Sequence, residues 1–190
     1  ARMNTLIIPQ SEVPTLLPMA ECVDAMAETL ASLSRVDRVL PLRSMVWMPD
    51  RSGLLGLMPA YLGAPKSLGV KVISYLPANH GTDGDSHQGA VLLFDTATGS
   101  LLAVIDASSI TAIRTAAVSA YAVDRLATGD ASRLVVFGAG PQAFAHVAAL
   151  AAIRPVRSVT VVSRTGDRAG ALVRTAQTLG LAARTAPTTD

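Results

Sequence analysis

The stretch LVVFGAGPQA, residues 134–143, runs from four apolar residues into a glycine-rich turn, and beyond it Phe144, Val147, Leu150 and Ile153 recur at helical spacing. It reads as strand, tight turn, helix. Within it, Gly138-Ala139-Gly140-Pro141-Gln142-Ala143 fits the pattern GxGxx(G/A), in which each small residue has its own task. The first glycine permits the sharp turn, the second lets the backbone come close to a pyrophosphate, and Ala143 allows the helix to lie tightly on the sheet. Pro141 suits a first helical turn, where its missing N–H would have had no partner. A helix that begins here offers free N–H groups and the positive end of its dipole to phosphate oxygens. Ordinary tight turns in α/β proteins carry similar glycines. The apolar strand before the turn and the amphipathic helix after it decide for a dinucleotide-binding turn.

Further along the chain, SVTVV at residues 158–162 is a second β-branched run, and Ala169, Leu172, Val173, Ala176 and Leu179 mark a helix closed by Gly180. Strand, helix, strand, helix implies right-handed crossovers and a parallel, Rossmann-like sheet. The last residues, LAARTAPTTD, can add a third strand. In the usual order 3-2-1-4-5-6 the first strand is central, so LVVF is expected to keep an uncovered apolar edge, and the chain to be part of a longer protein. Where the second strand ends, an NAD-specific fold places Asp or Glu on the ribose hydroxyl. This chain has Ser163-Arg164-Thr165 instead. A guanidinium suits a 2′-phosphate and the two hydroxyls add hydrogen bonds, so NADP (as NADPH) is the expected cofactor and NAD the alternative. The competing reading of Arg164 is a solvated loop arginine.

On the N-terminal side, Cys22, Val23, Met26, Leu30 and Leu33 predict an amphipathic helix after Pro18 that ends before Ser34. The segments VLPLRSMVWM, LLGLMPAY, VKVISYL, AVLLFD and LLAVI then follow as short apolar strands separated by turn-rich residues. Connections this short join antiparallel neighbours. Between Asp106 and Ala127 the chain turns helical again, with Ser108 or Ser109 as N-cap and Ile110, Ile113, Ala117 and Tyr121 along one side. The expected fold class is therefore α/β: an α+β module over 1–115, then the first half of a dinucleotide-binding sheet over 116–190, its second half absent.

Composition narrows the function classes. Half of the 190 residues are hydrophobic, enough for a real core, and a net charge of +2 with scattered Lys and Arg gives no basic stripe for nucleic acid. Cys22 is the only cysteine, which rules out an internal disulfide and any multi-cysteine zinc site and fits a reducing cytoplasm. No apolar run is long enough to span a membrane. His80, His87 and His146 lack a second histidine or paired carboxylate at ligand spacing, so no metal is expected. Asp106 reads as a helix-start residue rather than an acid catalyst.

SHQGAVLLFDTATGSLLAVIDASSITAIRTAAVSAYA from Ser86, followed by LVVFGAGPQA, strongly resembles the ornithine cyclodeaminase and mu-crystallin family, and PLRSMV and GVKVIS upstream resemble its substrate-binding segments. The family includes ornithine cyclodeaminases, ketimine reductases, pyrroline-2-carboxylate reductases and some alanine dehydrogenases. The resemblance implies that Arg43, Lys71 and Arg114 bind the substrate, with Arg114 also near the nicotinamide, and that Ser86, His87 and Gln88 touch the cofactor together with Gly138 to Gln142. It implies NADPH-dependent reduction of a small amino-acid-derived imine such as pyrroline-2-carboxylate. Alternatives are NAD-dependent cyclodeamination of ornithine and a non-catalytic, crystallin-like binding protein. It further implies a homodimer formed through the N-terminal module, and places a catalytic aspartate of the cyclodeaminases beyond Asp190. Chemically, cations hold an imino acid's carboxylate, and a lysine with a pKa lowered by neighbouring cations could protonate its nitrogen. From residue type alone, Arg43 and Lys71 could equally face water from apolar strands. Arg114, four residues after Ile110, is expected on a partly apolar side, costly without an anion.

Overall fold

The computed structural model describes residues 4–35, 37–79, 82 and 86–187; His80 lies outside them. The chain divides into two compact units, one of Ala1–Leu16 with Thr29–Thr111, the other of Leu17–Glu28 with Ala112–Asp190. The chain passes from the first unit to the second after Leu16, returns at Thr29 and passes over again after Thr111, whereas the sequence predicts one division, at 115/116. Leu17–Glu28, however, packs with the later residues and not with the module in which the sequence places it.

In the first unit, β1 (Leu6–Ile8) and a short helix α1 (Val13–Leu16) precede the strands. These are β2 (Arg38–Val39), β3 (Ser44–Trp47), β4 (Leu54–Gly63), β5 (Lys66–Tyr75), β6 (His87–Phe94) and β7 (Leu101–Asp106). They form one sheet in the order β1-β7-β6-β5-β4-β2, with β3 also on β4. The expected hairpins are all antiparallel, whereas β1 runs parallel to β7, Leu6 opposite Ala103. The single strand expected over residues 39–48 is broken. Val39 pairs with Tyr61 and Ser44 with Leu57, so residues 40–43 face the shorter run 58–60 and one residue is in excess. Pro41, which cannot donate to a ladder, lies in that bulge. The β6–β7 turn is held by Asp95, whose Oδ1 accepts from the N–H groups of Ala97 (3.0 Å) and Thr98 (2.6 Å) and from the Thr98 hydroxyl (2.8 Å). Those bonds hold the carboxyl below the usual carboxylate range. No residue of β5 or β6 is fully buried.

Helices α2 (Met19–Ser32) and α3 (Ala107–Leu126) each belong partly to both units. Asp106 caps α3: its Oδ1 accepts the Ser109 N–H at 2.9 Å. The expected caps, Ser108 and Ser109, instead send their hydroxyls to the carbonyls of His87 and Gln10. The second unit continues with β8 (Arg133–Phe137), α4 (Pro141–Ile153), β9 (Ser158–Val162), α5 (Gly166–Thr178) and β10 (Ala182–Ala186). The three strands are parallel in the order β10-β9-β8. One core gathers Val159 and Val161 of β9 under Val147, Ala169, Leu172 and Ala176. A second joins Cys22 and Val23 to Ala116, Ala117 and Ala120 of α3 and Ala149 and Leu150 of α4. Alanines here allow close helix approach. As expected, β8 stands at the sheet edge, and Phe137, on the face away from the core, is 81% exposed.

Candidate functional site

The glycine loop begins where β8 ends. Gly138 adopts φ +95°, a conformation that favours glycine, and its N–H donates to the Val162 carbonyl at 2.8 Å, fastening the ends of β8 and β9 together. Gly140 differs. It is the N-cap of α4, with φ −84° and ψ 177°, ordinary extended backbone, and a Cβ added there would meet no atom within 4 Å. Nothing in the protein requires a glycine at 140; what its hydrogen preserves is open space. Pro141 occupies the first turn, no side chain caps the helix, and Ala143 packs on the core beneath. Among the described residues the N–H groups of Ala139, Gly140 and Gln142 have no protein acceptor. Open space lined by unsatisfied donors at a helix N-terminus fits the pyrophosphate of a dinucleotide.

The loop forms one side of a cleft of about 420 Å³, whose other side is Val162, Ser163, Arg164, Thr165 and Arg168. All three residues of the expected triplet line this cleft. The Ser163 hydroxyl accepts the Thr165 N–H at 3.2 Å, so it shapes the turn, while Arg164 and Thr165 are exposed at the mouth. Arg168, which the sequence reading does not single out, lines the same cleft. It stands in the first turn of α5.

In the first unit, register places the other candidates. Lys71 on β5 is paired with Met58 of β4 and Val91 of β6, and its half-buried side chain reaches the Thr111 hydroxyl with Nζ at 3.4 Å. Pairing alternates faces, so Tyr75 and its partner His87 lie on the same face as Lys71. Their rings are 4.5 Å apart, and the Ser86 hydroxyl lies 3.1 Å from His87 Nδ1. Arg43 is exposed in the bulge. It immediately precedes the Ser44–Leu57 pair, on the β3 side of β4, while Lys71 pairs with β4 from the other side. The fold thus brings Lys71, Tyr75 and His87 to one face. Gln88 does not join them: as the next residue on β6 it lies on the opposite face, opposite Ser74, whose hydroxyl donates to the Gln88 carbonyl at 3.3 Å.

Arg114, in the second unit, is exposed on α3, so the desolvation expected from its spacing to Ile110 is absent. Its charge acts on Cys22, whose thiol is pushed up by burial and partly drawn back by that guanidinium. Among the described residues no cluster of His, Cys, Asp and Glu could hold a metal. His146 is an internal fastener: Nδ1 donates to the Gln142 carbonyl at 2.7 Å, which leaves Nε2 to accept from the Ser119 hydroxyl at 3.0 Å. No helix among the described residues is long and apolar enough to cross a membrane.

Mouse ketimine reductase mu-crystallin is 39% identical over 137 residues, 72% of this chain and 44% of the relative. Delta(1)-pyrroline-2-carboxylate reductase of Bacillus cereus is 30% identical over 164 residues, 86% of this chain and 50% of the relative. The structure of Thermococcus litoralis delta(1)-pyrroline-2-carboxylate reductase in complex with NADH and L-proline superposes with a TM-score of 0.91 at 28% identity, covering 97% of this chain and 57% of that one. The chain spans about half the length of the curated relatives it matches. The pattern of the ornithine cyclodeaminase/mu-crystallin family matches residues 3–189. With the cleft, the glycine loop and the sheet register in agreement, the chain belongs to the ornithine cyclodeaminase/mu-crystallin family.

Proposed function

We propose that this chain carries the substrate face and half of the cofactor bed of an NADPH-dependent reductase of small ketimines, pyrroline-2-carboxylate among them. The observation that carries the cofactor choice is the acid-free end of β9, where Arg164 lines the cleft shared with the glycine loop. A bound nicotinamide supplies the hydride that adds to the imine carbon. Arg43 holds the substrate carboxylate by a charge-assisted pair. The Lys71 ammonium, steadied by Thr111, gives its proton to the imine nitrogen, so that a C–H and an N–H bond replace the C=N π bond. Arg114, Ser86 and His87 complete the contacts to substrate and cofactor, and the relatives' names support imines as the substrate class.

The face of the large sheet away from Lys71 exposes Ile7 (74%), Val46 (57%) and Leu55, which supports a homodimer formed through this unit. The one cysteine of the sequence, Cys22, is a buried free thiol, which supports a cytoplasmic setting.

Steady-state NADPH oxidation by the protein carrying this chain, over a panel of cyclic and linear ketimines, is the test. Turnover with Lys71→Ala lowering kcat by about 100-fold, and Arg43→Ala raising KM by about 10-fold, is expected. Ammonia release from ornithine without net redox change would instead identify a cyclodeaminase. Ligand-induced stabilisation without any turnover would identify a binding protein.

A further inference from the structure

Arg164 immediately precedes Thr165, the N-cap of α5, and Arg168 is the third residue of that helix. One side chain comes from the loop and the other from the first turn, and both line the cleft that contains Gly138 and Gly140. Neither forms an ion pair with a described carboxylate, Asp167 between them included. Both are cations on one cleft, and Arg168 stands in the first turn of α5, where the helix dipole disfavours a cation. A ribose diol, as in NAD, would leave both guanidinium groups uncompensated. A 2′-phosphate brings a charge of about −2 and acceptor oxygens for both.

We propose that Arg168 is the second arm of a clamp for the 2′-phosphate of NADPH, closing on the group from α5 while Arg164 meets it from the β9 end. The proposal rests on the NADPH reading above and adds a selectivity residue to it. The two arms divide one dianion between two planar donors, so each is needed for full discrimination.

Dissociation constants for NADPH and NADH, measured by calorimetry on the protein carrying this chain, test it. The parent is expected to bind NADPH more tightly. Arg168→Ala should weaken NADPH by about 10-fold, leave NADH within about twofold, and flatten the salt dependence of NADPH binding, with no shift in the nucleotide-free thermal midpoint. Arg168→Lys should restore part of the loss. If Arg168→Ala keeps the parent's NADPH preference while Arg164→Ala loses it, the clamp is overturned and the NADPH reading survives. A parent with no preference for NADPH overturns both.

Discussion

At the residue scale, two glycines in one turn are separable by experiment. Gly138 is needed for its φ of +95°, so Gly138→Ala should cost roughly 1–2 kcal/mol and lower the thermal midpoint. Gly140 has ordinary dihedrals and empty space around it. Gly140→Asp puts a good N-cap residue at the start of α4 and a negative charge where phosphate would lie. It should leave the midpoint unchanged or slightly raised while reducing NADPH affinity by at least about 10-fold, read by thermal melts and calorimetry side by side. A parallel loss of stability and affinity would show that Gly140 serves the fold. The loop was legible in the sequence because its roles are local. Gln88 was not, since alternation along β6 and pairing with β5, not the motif, decide which face a residue joins. The exposure of Arg114 was not legible either, because spacing from Ile110 fixes which side of α3 a residue takes but not whether anything covers that side. Arg168 escaped because a motif read linearly stops at Thr165, whereas the helix turns the chain back toward the cleft.

At the scale of elements, the β6–β7 turn makes a pH prediction. Three hydrogen bonds favour the ionised Asp95 in the folded chain, so its folded pKa lies below its unfolded one. The stabilisation is then fully present above about pH 3.9, the unfolded value, and is lost as pH falls through the lower folded one. The Thr98 amide shift should titrate with a midpoint below about 3.9 and stop titrating in Asp95→Asn; a midpoint at the unfolded value would disprove the arrangement. Element boundaries were readable where punctuation is strong. The predicted end of α2 before Ser34 and the close of α5 at Gly180, which has φ +79°, match the structure. The cap of α3 was not readable: Asp106, Ser108 and Ser109 are all competent, and two of them are drawn away by carbonyls of distant residues. β1 was missed because three residues show no periodicity and its partner lies across most of the first unit. The bulge before β3 shows the same limit, since Pro41 announces a break but not which strand both pieces pair with.

At the scale of the molecule, the large sheet carries apolar side chains that are half-exposed on both faces, and the face away from Lys71 is the one without a proposed ligand. Sedimentation of the protein carrying this chain should show a dimer, and Val46→Lys with Leu55→Lys should shift it to monomer while NADPH binding by the second unit persists; an unshifted dimer would place the interface elsewhere. The order of the two units along the chain has a further consequence. Leu17–Glu28 belongs to the same compact unit as Ala112–Asp190 although Thr29–Thr111 intervenes. Cys22 and Val23 complete a core whose other members start at Ala116. A recombination event at residue 111 would therefore pass on a nucleotide-binding cassette with a gap in its centre. The later residues can be exchanged between lineages only together with Leu17–Glu28, from the other side of Thr29–Thr111, so change in the cleft is expected to come by substitution and not by shuffling.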